Sequence, residues 1–195
     1  MNDIAVLGLG SIGSRHVNNL IKMGYAVIGF DPDPYRRDCL ELKGMTSKKN
    51  AELALKDASA AIIASPSRFH TEHARMALAA DCHVLVEKPL APTLEMLRTL
   101  IDQAEADSRI FAVAQNLRFL PAIVKARELT LAGNLGDILW GKFHCSSYLP
   151  DWRPNQDYRK NYTADPKTGG VIFDIVHEFD LAHYILGPFK TVAAT

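Results

Sequence analysis

The stretch IAVLGLGSIGSRH, residues 4–16, constrains this chain more than any other part of it. An apolar run enters three glycines, Gly8, Gly10 and Gly13, in G-x-G-x-x-G spacing. Residues at helical period, Ile12, Val17, Leu20 and Ile21, follow and stop at Gly24. In a strand-to-helix turn the first glycine permits the tight bend and the second lets a pyrophosphate approach the backbone. The third lets helix and strand pack closely. The unpaired N–H groups at the helix start then face the anion, so Ser11 and Ile12 join the glycines as candidate cofactor contacts. The spacing alone is weak. It gains force from an acidic residue about 20 positions further on, at the end of a second strand. Asp31 stands there, in AVIGFDPD. It is placed to accept hydrogen bonds from the adenosine ribose hydroxyls, and its charge opposes a 2′-phosphate. NAD is the expected cofactor, with NADP kept open by Arg36 and Arg37. The alternative for Asp31 is a turn residue before Pro32.

The first half continues the alternation. Apolar runs at residues 26–30, 60–64, 83–86 and 110–114 read as strands, and residues 68–80 and 93–106 as helices. Short strands that are apolar on both faces imply a parallel sheet covered by helices on each side, a doubly wound α/β fold. After about residue 118 the pattern changes. Residues 119–131 look helical, and residues 138–148 (ILWGKFHCSSY) alternate as a half-exposed strand. A polar, aromatic loop follows, then a helix over residues 170–186 and the opening of another strand at residues 190–194.

Composition removes several classes of function. The 195 residues carry 22 basic and 22 acidic side chains, so a bulk electrostatic nucleic-acid binder is not expected. No apolar run is long enough to span a membrane, and no basic-then-apolar leader opens the chain; a cytoplasmic protein is expected. Cys39, Cys82 and Cys145 are far apart and form no C-x-x-C pair, so small thiols in a reducing compartment are the plain reading.

Two further segments fall where ligands bind, at the carboxyl ends of strands. ASPSRFH (residues 64–70) follows one strand, and VEKPL (residues 86–90) ends another, where Pro89 stops continuation. Lys88 at that edge can reach a ribose or a substrate hydroxyl; a solvated lysine is the plain alternative. The helix at residues 170–186 is strongly apolar apart from Asp174, His177, Asp180 and His183. An imidazole suits removal of a hydroxyl proton near neutrality, while a polar stripe facing solvent, with Asp174 near the helix start, is the competing reading. HEFDLAH departs from H-E-x-x-H at Leu181, and Asp174 and His183 fall on opposite helix faces, so no metal site is expected.

Together, GLGSIGSRH, Asp31, the S-P-S-x-x-H loop, E-K-P, the segment Asn116 to Phe119 and GGVIFDIVHEFDLAHYILG resemble the Gfo/Idh/MocA oxidoreductases, over essentially the whole chain. The resemblance implies an N-terminal Rossmann domain, residues 1–118, and part of a C-terminal α/β domain with a mostly antiparallel sheet, residues 119–195. It implies hydride transfer between a nicotinamide cofactor and a sugar, cyclitol or sugar derivative. It assigns Lys88 to the nicotinamide ribose and the substrate hydroxyl and His177 to the general base, with Asp174 nearby. Ser65, Pro66, His70, Glu87 and Asn116 join the cofactor candidates, and Arg118 the substrate candidates. Many members have three residues between that Asp and His; here there are two, a spacing that resembles the branch acting on nucleotide sugars or sialic-acid-like compounds. From the polar loop, Trp152, Arg153, Tyr158, Arg159, Lys160 and Tyr162 suit a polyhydroxylated substrate, neutral or acidic; a solvated connection is the plain alternative. A second copy of the chain is an expected partner through the C-terminal sheet where that sheet is complete. The competing reading is a shortened, non-catalytic cofactor-binding or interaction module.

Overall fold

A computed structural model describes residues 3–90, 93–152, 157–160, 164 and 169–194. The chain divides into two compact units, Met1–Ala114 and Gln115–Thr195. In the first, six strands form one parallel sheet: β1 (Asp3–Leu7), β2 (Val27–Phe30), β3 (Thr46–Ser47), β4 (Ala58–Ile63), β5 (His83–Val86) and β6 (Phe111–Val113). Their order is β3-β2-β1-β4-β5-β6. The helices between them are α1 (Ser11–Lys22), α2 (Pro34–Glu41), α3 (Ala51–Leu55), α4 (His70–Ala79) and α5 (Leu94–Ala106).

The two faces of β1 explain the uninterrupted apolar runs. Ala5 and Leu7 pack with Leu55, Ala74, Ala77 and Leu100 of the helices on one side. Val6, one residue out of phase, packs with Val17, Leu20 and Leu40 on the other. β4 repeats the division, with Ala61 and Ile63 on the first side and Ile62 on the second. A sheet buried on both faces needs such strands.

Three elements escaped the sequence reading. β3 is two residues at the sheet edge, too short for any periodicity, and pairs with Ile28 and Gly29 of β2. α2 is mostly polar, with Leu40 its buried side chain; it is started by Pro34 and by the Asp33 carboxylate, which accepts from the Tyr35 N–H. α3 is only five residues long, capped by Asn50.

In the second unit, a 3-10 turn (Asn116–Phe119) leads to α6 (Pro121–Leu131), and α7 (Val171–Asp174) and α8 (Val176–Leu186) follow later. Two expectations need correction here. The helix expected over residues 170–186 is interrupted at Ile175, whose φ of −109° and ψ of 35° leave helical space. Asp174 ends one helix and His177 lies in the first turn of the next. The strands expected at residues 138–148 and 190–194 form no ladder, and the one sheet among the described residues is the parallel one. An extended segment becomes a strand only when a neighbour takes up its N–H and C=O groups. Leu139 and Trp140, successive residues, are 89% and 79% exposed, so neither side is covered at this point of the segment. Among the described residues no helix is long and apolar enough to cross a membrane.

Candidate functional site

Strand register brings the loops of the first unit to one edge. Beyond the strand ends, Gly8 N–H donates to the Phe30 carbonyl (2.8 Å), Ala64 N–H to Leu7 (2.8 Å) and Glu87 N–H to Ile63 (2.9 Å). The glycine turn, Asp31, the Ser65 loop and the Glu87–Lys88 turn therefore all start from the carboxyl edge, where the strand order reverses between β1 and β4.

Each glycine of the turn has its own reason. Gly8 has φ +89°, and a Cβ there would lie 2.5 Å from the Ser65 backbone. A Cβ on Gly13 would lie 1.8 Å from the Gly8 carbonyl oxygen, so α1 packs directly on the turn it leaves. At Gly10 a Cβ would meet only the tip of Arg36, at 3.8 Å. Gly10 caps α1 without any side-chain hydrogen bond. The first N–H groups of a helix have no acceptor within it, so those of Ser11, Ile12 and Gly13 are available to an anion over the open Gly10 backbone. These residues fit a dinucleotide pyrophosphate.

Asp31 is 3% exposed and fastens the turn from below. Its Oδ2 accepts from the Leu9 N–H (2.8 Å) and from Arg36 Nη1 (3.3 Å), and its Oδ1 from the Asp33 N–H (2.9 Å). Arg37 donates to the Asp31 carbonyl. Both open readings of Asp31 thus have a physical basis: it organises the turn, and one acceptor position remains on Oδ1.

The Ser65 and Glu87 loops are knitted together by histidines. His70, at the start of α4, is 2% exposed, with Nδ1 2.7 Å from the Pro89 carbonyl and Nε2 2.8 Å from the Ser65 carbonyl. Ser65 Oγ is 2.9 Å from His73 Nδ1, and His16 Nε2 on α1 is 2.8 Å from Glu87 Oε1. His70, Ser65 and Glu87, expected as cofactor contacts, each hold a polar partner within this unit. Pro66 is exposed, Lys88 is half-buried, and the Lys88–Pro89 bond is cis. Burial by itself raises the Glu87 carboxyl; the hydrogen bond and charge of His16, the Lys88 N–H and the charge of His70 bring it below the usual carboxylate range. Burial pushes His73 down. Sequence reasoning quoted His16 only as part of the glycine motif and missed His73.

In the second unit, His177 Nδ1 is 3.1 Å from Gln115 Oε1. An amide oxygen only accepts, so in this contact Nδ1 is the donor. Gln115 was not foreseen. Asn116 is exposed. Arg118, expected at the substrate, grips Asp180 with two donors, Nε at 2.9 Å and Nη2, and its guanidinium lies 4.8 Å from the Tyr184 ring centre. Arg127 stacks on the same ring at 4.3 Å and donates to the Tyr184 carbonyl. The Trp152 indole N–H donates to Ser147 Oγ (2.6 Å), and Arg159 lies 5.2 Å from the Tyr158 ring. Arg153 and Tyr162 lie outside the described residues.

The model of an oxidoreductase family with an NAD-binding Rossmann fold matches residues 3–115, and that of the GFO/IDH/MocA C-terminal domain matches residues 123–195. Glucose-6-phosphate 3-dehydrogenase of Bacillus subtilis is 30% identical over 95% of this chain and 54% of its own length. Myo-inositol 2-dehydrogenase of Thermotoga maritima is 29% identical over 94% of this chain and 54% of its own. The scyllo-inositol dehydrogenase of Lactobacillus casei, solved with NAD(H) and scyllo-inositol, superposes with a TM-score of 0.79 at 20% identity, over 95% of this chain and 56% of that one. The chain thus spans about half the length of these relatives. With the glycine turn built as a dinucleotide cradle and the family model covering more than half of the sequence, the chain belongs to the GFO/IDH/MocA oxidoreductases, and its first unit is their NAD-binding Rossmann domain.

Proposed function

We propose that the chain serves an NAD(P)-dependent oxidoreductase that moves a hydride between nicotinamide and a CH–OH carbon of a sugar, cyclitol or sugar derivative, nucleotide sugars and sialic-acid-like compounds included. The observation that carries this reading is the cradle itself: an uncapped α1 start above open Gly10, held by Asp31 through the Leu9 N–H. The named relatives are dehydrogenases of sugars and inositols.

Each residue then has a task. The N–H groups of Ser11, Ile12 and Gly13 hold the pyrophosphate. Asp31 receives the adenosine ribose, with Arg36 turning aside, and disfavours a 2′-phosphate; NAD binds more tightly than NADP. Lys88 donates to the nicotinamide ribose and to the substrate hydroxyl. His177 takes the hydroxyl proton on Nε2, its Nδ1–H fixed by Gln115. Asp174 supports His177; Asn116, Arg118, Trp152, Tyr158 and Arg159 serve cofactor and substrate from the second unit. When bound, the nicotinamide supplies the hydride acceptor, chemistry that no side chain provides.

In this reading residues 1–118 form the cofactor domain and residues 119–195 part of a substrate domain. There residues 138–148 join a mostly antiparallel sheet once partner strands are present, and that sheet is the surface for a second copy. The protein works in the cytoplasm on a small molecule, with no nucleic-acid partner. The test is a calorimetric titration with NAD and NADP alongside absorbance at 340 nm with a panel of sugars and cyclitols. Tighter NADP binding would overturn the role of Asp31. NAD binding with no absorbance change for any substrate would favour a non-catalytic cofactor-binding module.

A further inference from the structure

His70 has a hydrogen-bond environment that a neutral ring cannot satisfy. Both of its nitrogens face main-chain carbonyl oxygens, those of Pro89 at 2.7 Å and Ser65 at 2.8 Å. A carbonyl oxygen can only accept, while neutral imidazole has one N–H and one bare nitrogen. In either tautomer a bare nitrogen would be pressed against an oxygen lone pair in a residue that is 2% exposed. Leaving a buried polar pair unsatisfied is costly; only the imidazolium donates at both ends.

We infer that His70 is held as an imidazolium in the folded chain, and that this cation is a positioning residue, a two-ended clamp tying the turn that carries Lys88 to the Ser65 loop. A buried cation needs an anion close by. Of the charged and titratable groups, Glu87 and His73 lie in its field, with His16 paired to Glu87 and Lys88 adjoining the Pro89 that His70 holds. Of these Glu87 is the anion. After burial, which acts the other way, the His16 bond, the Lys88 N–H and the field of His70 all favour its charged form. The field of a positive His70 adds to burial in pushing His73 down. The clamp acts through the backbone: His70 holds the Pro89 carbonyl, and Pro89 directly follows Lys88.

The consequence for binding rests on the role proposed for Lys88; the charge state does not. The chain labelled with 15N at its histidines, with His70 assigned through its backbone, is examined at about pH 7.5, where an ordinary histidine (pKa about 6.5) is mostly neutral. Long-range proton–nitrogen spectra should show both His70 nitrogens protonated. One protonated and one bare nitrogen would overturn the inference, and this readout needs no variant and no ligand. For the positioning role, H70Q with an unchanged far-ultraviolet spectrum should weaken NADH binding by about tenfold or more while ADP, which ends at the pyrophosphate, binds as before. Unchanged NADH binding, or equal loss for both ligands, would overturn the positioning role. Should wild-type protein bind no dinucleotide at all, the proposed function fails, and the histidine spectrum still decides the charge of His70.

Discussion

Gly13 offers the sharpest test of how the turn is built. In Gly13→Ala the new Cβ starts 1.8 Å from the Gly8 carbonyl oxygen and 2.8 Å from its carbon. Both are backbone atoms, so no side chain can swing away. To reach even the closest contact that real structures tolerate, α1 must move off β1 by at least about 1.2 Å. That shift loosens Val17 and Leu20, which bury the inner face of α1. Overpacking against atoms that cannot yield belongs at the upper end of the usual range, about 3 kcal/mol, a large share of a domain's typical stability. The same shift carries the N–H groups of residues 11–13 away from the pyrophosphate. Loss of two charge-assisted hydrogen bonds at about 1.5 kcal/mol each corresponds to at least about a hundredfold weaker NADH binding. Gly10→Ala is the matched control. Its φ is −67°, and its Cβ would meet only the Arg36 side chain. Folding should change by no more than about 0.5 kcal/mol, since a poorer cap and a stiffer unfolded chain oppose each other. NADH binding should still fall, because the methyl intrudes on the cradle. Urea unfolding and NADH fluorescence titration measure both quantities. If Gly13→Ala keeps the wild-type midpoint and affinity, the close packing of α1 on the turn is refuted.

Asp31→Asn should lower stability by about 1–3 kcal/mol, because one buried carboxylate oxygen becomes a donor facing another donor, Leu9 N–H or Asp33 N–H. Urea unfolding with parallel NAD calorimetry would show both losses, and an unchanged midpoint would contradict the fastening role. The Glu87 carboxyl lies below its free value, so its stabilisation is complete above about pH 4.3 and is lost as pH falls through the lower folded value. The gap in urea midpoint between wild type and Glu87→Gln should therefore shrink on acidification, and a constant gap would count against the His16 pairing. Arg118→Lys keeps the charge but loses the two-point grip on Asp180. Since the Arg118 side chain is 37% exposed, the expected cost is only about 1 kcal/mol, read as a lower thermal midpoint.

The sequence by itself determined the β1–turn–α1 unit, the doubly wound parallel architecture and the place of Asp31. Each has a local signature: glycine spacing, apolar runs buried on two faces, and an acid just after a strand. The carboxyl-edge position of Ser65, Glu87 and Lys88 was legible for the same reason, because each follows a strand directly. Only the tertiary structure decided what those side chains touch. His16 meets Glu87 across 71 residues, and Gln115 meets His177 across 62. A two-residue edge strand, a helix broken at Ile175 and a histidine held between two carbonyls likewise carry no periodic mark. Periodicity reports which face a residue shows to the core. It says nothing of which distant donor or acceptor the packing of that core will bring within hydrogen-bonding reach, because that choice is made by sheet register and close helix–strand contact.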